Sequence, residues 1–582
     1  MRTVFLLFSA ITILYSCSSK EKPLFEAVAS SKSGITFSNS IVENQQLNMI
    51  NYQYLYNGGG VGIGDFNNDS LPDIYFTASI TGNKLYLNRG NMKFEDVTEI
   101  AGVSGEKKWT RGATVVDINN DGMLDIYVCA AAWQSPELKK DILYVNQGMK
   151  AGTDIPVFRN MIDEYGLADT VSTHMASFFD YDNDGDLDLY CVVNDLNQEF
   201  PNTFRKIKND GTGFTNDILY RNDWNPQLQH GVYTNVSKEA GITWEGNGLG
   251  VSIVDINEDG WKDIYVSNDY LSGNLLYINN KNGTFTNRNA EYFKHGSLNA
   301  MGNDAADINN DGLVDIVEMD MMPEDNYRQK KMMNQTDYNW YLYSNMYGFP
   351  YQSTRNTLQV NRGPRVLSND TVGAPVFSEI AFYSGVAFTD WSWAALLMDA
   401  DNDGYKDLMT TNGLPKDVTD LDFIAYRESG QANLIDALQR LPAVKMSNYI
   451  FQNNKDLSFT NQTKNWGWDI PTYSAGIAYA DFDMDGDMDV VINNTNMEAS
   501  LLENKSNEIA PKSYINLKFR GDTSNVNGFG TKATVYYKGG MQMSELNPYR
   551  GYMSTMQDIL HFGLDTIQKI DSIVILWPDG KK

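Results

Sequence analysis

Four acidic or amide side chains recur at one fixed spacing, seven times along this 582-residue chain. Position 1 of the nine-residue stretch is Asp65, Asp117, Asp180, Asp255, Asp307, Asp399 or Asp481. Position 3 is Asn67, Asn119, Asp182, Asn257, Asn309, Asp401 or Asp483. Position 5 is Asp69, Asp121, Asp184, Asp259, Asp311, Asp403 or Asp485, and position 9 is Asp73, Asp125, Asp188, Asp263, Asp315, Asp407 or Asp489. So many hard oxygens in nine residues suit a calcium ion best. Without a cation the clustered carboxylates would repel one another, so a metal-free solvated turn fits poorly. The loops offer no evident acid or base beyond their ligands, which makes them structural metal sites with no catalytic residue among them.

Short apolar strands must hold these loops. Each loop is followed by a run such as Ile74-Tyr-Phe or Ile126-Tyr-Val, rich in β-branched and aromatic residues. Each is preceded by another apolar run with Gly or Ala five residues before position 1 in six of seven copies, as where strands crowd an axis. Strand–loop–strand excludes helix-flanked calcium sites, whose last acid also falls at position 12. A third strand ends in Asn88, Asn146, Asn222, Asn279, Asn361, Asn453 or Asn504, a residue that tolerates turn conformations. A fourth is centred on Phe94, Phe158, Tyr233, Phe285, Phe377 or Phe459 and is missing after Asn504. The stretch from Leu24 to Ile35 has the fourth-strand pattern and supplies the missing piece. The expected fold is therefore all-β, a seven-bladed β-propeller closed by an N-terminal strand and followed by a small β domain. An open array of the same repeats would leave that displaced strand unexplained.

Residues 24–505 resemble the FG-GAP/VCBS repeats that build the propeller of integrin α chains, with seven copies in phase. The resemblance implies that calcium loops join the first and second strands of each blade on one face. It also implies the ligands: the side chains at 1, 3, 5 and 9 and the backbone carbonyl at 7. Position 7 is Leu71, Met123, Asp186, Trp261, Leu313, Tyr405 or Asp487. The first loop departs from the others with Ser70 at position 6, where Gly eases a sharp turn, and with Pro72 before its last Asp. Residues 510–582 carry Ser513-Tyr-Ile-Asn-Leu-Lys-Phe, Asn527-Gly-Phe-Gly-Thr-Lys-Ala, His561-Phe-Gly-Leu and Ile573-Val-Ile-Leu-Trp577-Pro-Asp-Gly, which resemble an ASPIC/UnbV domain. That domain follows such propellers in cartilage acidic protein 1-like bacterial lipoproteins, where the chain normally continues past the position of Lys582.

Residues 1–16 read as a signal peptide with a short apolar core. Cys17 resembles a bacterial lipoprotein processing site, which implies a lipidated linker over 17–23, attachment to the membrane through the lipid alone and an outer-membrane location in the cell envelope. Calcium concentrations outside the cytoplasm can fill weak loop sites. Cys129 and Cys191 fall on opposite faces of equivalent strands and read as buried thiols. The net charge is −28, and 24 carboxylates lie at the four loop positions. Seven calcium ions would return about half the formal charge. This balance excludes the basic face that a nucleic-acid partner requires.

Successive position-1 residues are 52, 63, 75, 52, 92 and 82 apart, and the excess falls near 194–215, 319–355 and 412–447, on the face opposite the calcium loops. Loop elaboration is where function usually resides. Trp109, Arg111, His174, Asp304, Trp391 and Trp393 lie on connections to that face and make a candidate ligand rim, or a channel plug. The aromatic-rich blade 5 insertion, with Trp340, reads as a stacking platform or as a packed cap. Asp417–Leu441 has helical spacing and reads as one or two helices that stop at Pro442. No nucleophile elbow, phosphate loop or His/Cys metal pattern appears. The leading reading is a non-catalytic binding scaffold for a protein or glycan. The alternatives are a polysaccharide lyase-like carbohydrate-active enzyme and a structural subunit of a surface complex.

Overall fold

The computed structural model describes residues 22–131, 135–195, 202–332, 337–367, 372–430, 433–521 and 525–582. The signal-peptide expectation and Cys17 lie outside them. No helix among the described residues is long and apolar enough to cross a membrane.

Seven four-stranded antiparallel sheets dominate the chain. The first uses Val61–Gly64, Asp73–Phe76, Lys84–Asn88 and Phe94–Asp96; the second uses Trp109–Val116, Asp125–Ala131, Ile142–Met149 and Pro156–Asn160. The seventh pairs Ser474–Ala480, Asp489–Asn494 and Ser500–Asn504 with Phe25–Ala27, in the register Phe25↔Asn504 and Ala27↔Leu502. The first strands of neighbouring sheets contact one another in a closed cycle, the seventh touching the first. The chain is a β-propeller whose ring is closed by its N-terminal strand.

Burial follows position in each blade. First and second strands are buried throughout, because both faces meet neighbouring blades, except that Ala305 and Ala306 of the fifth blade's first strand are half-buried. Several outer strands are only three residues long and bury just their leading aromatic, as in Phe94–Asp96, Phe285–Asn287 and Phe459–Asn461. Such short, polar edges discourage pairing with other chains. The Ser-Gly and Ala-Gly pairs that follow end a single helical turn: Gly34, Gly102 and Gly385 cap it in the left-handed conformation. Cys129 and Cys191 are buried free thiols.

The C-terminal strands form a two-stranded sheet (Ser513–Leu517 with Leu560–Asp565) and a three-stranded one (Gly540–Glu545, Lys532–Tyr537 and Ile570–Leu576). Phe529, Val535, Tyr549 and Phe562 share one core with blades 2–4. Between Glu545 and Leu560 the chain enters the propeller channel. Thr555 donates its N–H to the Val61 carbonyl at 2.8 Å and accepts from Ile63 at 3.0 Å, while Ala113 donates to the Met553 carbonyl at 3.0 Å. The space is close: a Cβ on Gly60 would lie 1.8 Å from the Met553 carbonyl oxygen. Arg550 clamps Asp304 in a bidentate pair at 2.8 and 2.7 Å and donates to Tyr479 Oη at 3.0 Å.

This plug tests as a structural element. Removing one partner of a largely buried ion pair leaves an uncompensated charge and costs about 3–5 kcal/mol. Arg550→Ala is therefore expected to lower the urea-unfolding free energy by that amount, because Asp304 is only 1% exposed. A loss below about 1 kcal/mol would mean that the plug does not hold the ring.

Candidate metal centres

All seven loops share one backbone circuit. The position-1 carboxylate accepts the N–H of position 5 at 2.9–3.2 Å and that of position 6 at 2.8–3.1 Å. The position-5 carboxylate accepts from position 7, as Leu71 to Asp69 at 2.9 Å. Position 4 is left-handed in every copy, from Asn68 to Met484, and so is position 6. Two such residues curl the loop around a centre. Ser70 holds φ 72° and keeps its bond to Asp65 at 2.8 Å, so the first loop has the geometry of the others despite lacking Gly.

The circuit leaves oxygens pointing inward. In the three loops with Asp at position 3, carboxylate oxygens of positions 1, 3 and 9 lie within 4.8 Å of one another: Asp180, Asp182 and Asp188; Asp399, Asp401 and Asp407; Asp481, Asp483 and Asp489. Oδ1 of Asp182 and of Asp483 is buried with no hydrogen-bond partner. In the other four loops the position-3 Asn donates Nδ2 to the position-5 carboxylate at 2.9–3.0 Å. Residue 7 was expected to contribute only its carbonyl. In two loops it is itself acidic, and Oδ1 of Asp186 and of Asp487 is also buried and without a partner. The Asp-Gly-Asp runs of these loops were the signal for it.

Burial, and then the neighbouring carboxylates, push these acids up. Asp180 and Asp399 rise to about 7, Asp481 and Asp307 to about 6, and Asp186 and Asp487 to about 8. At position 9, Asp73, Asp125, Asp188, Asp263, Asp407 and Asp489 lie well above the usual carboxylate range. An oxygen-only donor set that is costly to ionise alone fits a hard divalent cation, which would pair the charges where they stand.

Position 9 also organises the ring. Its Oδ2 accepts the N–H of position 2 at 2.9–3.2 Å, and its Oδ1 accepts the N–H of the third-strand Asn at 2.8 Å in every blade. That Asn then reaches across to the preceding blade. Nδ2 of Asn88, Asn146, Asn279, Asn361, Asn453 and Asn504 donates to the position-2 carbonyl of the neighbouring loop at 2.8–3.4 Å. Its Oδ1 accepts the N–H two residues on, as Gly148 to Asn146 at 3.0 Å. Asn222 is the exception: its ladder continues to Asn225 with no register shift, unlike those after Asn146 and Asn361, and its Oδ1 has no partner. Strand-exit preference alone had accounted for these Asn residues, and the interblade bond was missed.

The repeat spacing does not place the C-terminal domain, and part of the loop face is covered by it. The C-terminal domain lies over loops 4 to 7. Lys532 Nζ is 3.7 Å from Asp255 and Lys512 Nζ is 3.5 Å from Asp401. Lys262 pairs with Glu545 at 2.7 Å. His561 lies between Asn402 at 2.5 Å and Asn516 at 2.7 Å with both ring nitrogens engaged, and burial and then Lys406 pull its pKa down to about 3, so its role is structural.

On the opposite face Trp109, Arg111 and His174 form no open rim. Trp109 packs edge-on against Tyr52, Arg111 donates to Tyr52 Oη at 2.8 Å, and His174 lies 5.1 Å from the Tyr552 ring of the plug. The segment before blade 1 covers them from one side and the plug from the other. Asp304 is taken by Arg550. Trp391 and Trp393 do line a cavity. Trp340 packs with Phe204 at 4.9 Å, joining the blade 5 and blade 3 insertions; Tyr338, Tyr341 and Tyr351 beside it stay exposed. The blade 6 insertion forms two helices, Leu421–Glu428 and Leu434–Arg440.

Comparison with known proteins agrees with the repeats and the C-terminal domain. Residues 65–128 and 255–318 match the FG-GAP-like repeat family, and residues 521–582 match the ASPIC and UnbV family. Mouse (Mus musculus) cartilage acidic protein 1 is 25% identical over 231 residues, covering 40% of this chain. The match spans about a third (32%) of that protein's length. Among solved structures, an Agrocybe aegerita lectin described as recognising non-reducing terminal N-acetylglucosamine has a TM-score of 0.35 at 14% identity, over 71% of this chain and 83% of the lectin. Rhamnogalacturonan lyase YesW has 0.36 at 11% identity, over 77% and 72%.

Two outcomes test the loops. Because the acids are raised in the folded chain, their ionisation opposes folding. Stability of the cation-free chain is full below the ordinary carboxylate range and is lost as pH rises through about 6–8. In chelator the melting temperature should fall from about pH 5.5 to about 8.5, and excess calcium should abolish the fall; identical profiles would refute a cation role. For the hub, Asn146→Ala removes its interblade bond and should cost about 1–3 kcal/mol. Asn222→Ala should cost less, and denaturant unfolding that reversed this order would contradict the interblade role.

Proposed function

We propose that this propeller of FG-GAP-like repeats, plugged by its ASPIC/UnbV domain, is a calcium-binding, non-catalytic scaffold of the bacterial cell envelope. Cys17 carries its lipid anchor, and a protein or glycan ligand binds on the face opposite the metal loops. Calcium is the cation because extracellular concentrations suit loop sites built from oxygen alone.

One observation carries the reading of the binding face. Insertions from blades 3 and 5 meet over blade 4 and enclose a groove of about 470 Å³. That volume is within the roughly 300–1,000 Å³ typical of ligand sites. Trp244 offers a half-buried ring there, flanked by two bidentate pairs, Arg205–Glu245 at 2.5 and 2.9 Å and Arg288–Glu291 at 2.7 and 2.6 Å. An aromatic surface between fixed hydrogen-bonding groups suits a sugar or a peptide.

An enzyme is the second reading, since Lys294, His295 and Tyr351 border an adjoining cavity of about 350 Å³. Yet Nε2 of His295 is engaged by Arg355 at 2.8 Å, and Arg355 also pairs with Glu379 at 2.6 Å. That ring nitrogen is held in a structural cluster and is not poised as a base.

A glycan array and a pull-down from envelope extract, with calcium present, test the reading. Trp244→Ala should weaken binding at least roughly ten-fold, as for a central aromatic anchor, in a chain that melting shows is still folded at the assay temperature. Undiminished binding would remove the groove from the account, and glycan turnover would favour the enzyme.

A further inference from the structure

Nearer the axis, on the same face, Trp391, Trp393, Tyr54 and Tyr270 border a separate cavity of about 190 Å³. The helix Leu421–Glu428 of the blade 6 insertion covers it with Phe423 and Ile424. Four bordering side chains carry a buried polar atom with no partner in the protein: Nε1 of Trp391, Nδ2 of Asn57, and Oδ1 of Asn299 and of Asn202. Trp391, Asn57 and Asn299 are only 7%, 3% and 2% exposed. Each unsatisfied atom has lost its water without gaining a partner, and four around one cavity call for a ligand that pairs them.

Other polar groups of the wall are already paired. Trp393 Nε1 donates to the Gly413 carbonyl at 2.9 Å. Asn299 Nδ2 donates to Asp269 Oδ1 at 3.1 Å, and Tyr54 Oη donates to Asp269 Oδ2 at 2.9 Å. These bonds fix the walls and occupy both oxygens of the Asp269 carboxylate. What remains unpaired in the buried wall is two neutral donors, two neutral acceptors and several aromatic faces. Asp269 already accepts from three neutral donors and Arg427 lies at the exposed edge, so the unpaired groups themselves select a neutral ligand. The volume lies below the roughly 300–1,000 Å³ of larger ligand sites, which limits the occupant to about one ring.

We infer that this cavity binds a single neutral sugar ring, free or at the end of a glycan. Its hydroxyl oxygens accept from Trp391 Nε1 and Asn57 Nδ2, its hydroxyls donate to Asn299 Oδ1 and Asn202 Oδ1, and its apolar face rests on the indole and phenol rings. The site is distinct from the Trp244 groove and stands without it.

The test uses the full chain in calcium, with glucose, galactose, mannose, N-acetylglucosamine and their methyl glycosides as probes. Saturation-transfer NMR and calorimetry report binding, and melting temperature reports folding. Trp391→Phe keeps a ring and removes a donor that no protein group accepts. Ile424→Trp fills the cavity from its helical cover. Saturable binding of one probe is expected, weakened roughly three- to ten-fold by Trp391→Phe, abolished by Ile424→Trp and unchanged by Trp244→Ala. Binding of the methyl glycoside as well assigns a glycan end; binding of the free sugar alone assigns a monosaccharide. The inference is overturned if no probe binds saturably, which leaves the cavity to ordered water. It is equally overturned if both cavity variants bind like the parent, or if Trp244→Ala abolishes binding.

Discussion

Every blade buries an aspartate at the end of its metal loop, and the ring is built around the need to keep that charge satisfied. Each position-9 carboxylate is at most 1% exposed, yet accepts a backbone N–H on either oxygen. Two neutral donors do not offset the position-1 and position-3 carboxylates that converge on it in three of the loops. A divalent cation would remove the repulsion and let the same bonds persist with the acids ionised. On the calcium proposal, stability of a blade and occupancy of its loop are one equilibrium.

The same residue passes that order around the ring. Its Oδ1 holds the third-strand Asn, whose amide in six of the seven blades grips the preceding loop, so there a loop that loosens also releases its neighbour. The link from Asn88 to Phe482 joins the first blade to the seventh, beside the pairing of Phe25–Ala27 with Ser500–Asn504. The plug adds contacts of another kind: Thr555, Met553 and Arg550 bond to first strands at the axis, and Lys512, Lys532 and His561 fasten the C-terminal domain over the loops. The channel and the loop face over loops 4 to 7 are thus occupied by the chain itself, and the elaborated open surface is where the insertions gather.

Whatever repeats was legible in the sequence. Loops, strands, glycines facing the axis and the displaced closing strand each have a fixed offset from position 1, and seven in-phase copies make each offset readable. Contacts made once leave no such trace. Nothing in the spacing of Asn547–Ile559 places Arg550 against Asp304, 246 residues away. Trp109, Arg111 and His174 sat at the expected end of their strands, but burial by Tyr52 and Tyr552 depends on two non-repeating segments. The interblade Asn bond was periodic and still missed, because its partner is a backbone carbonyl, which has no residue signature. The polar atoms of Trp391, Asn57 and Asn299 meet only in three dimensions.

The most direct measurement counts ions. The full chain, stripped by chelator and returned to graded calcium, can be followed by native mass spectrometry. The account predicts discrete additions, up to the seven loops, with the three Asp-rich loops filling first. A chain that gains no discrete calcium adducts while remaining fully folded would contradict it.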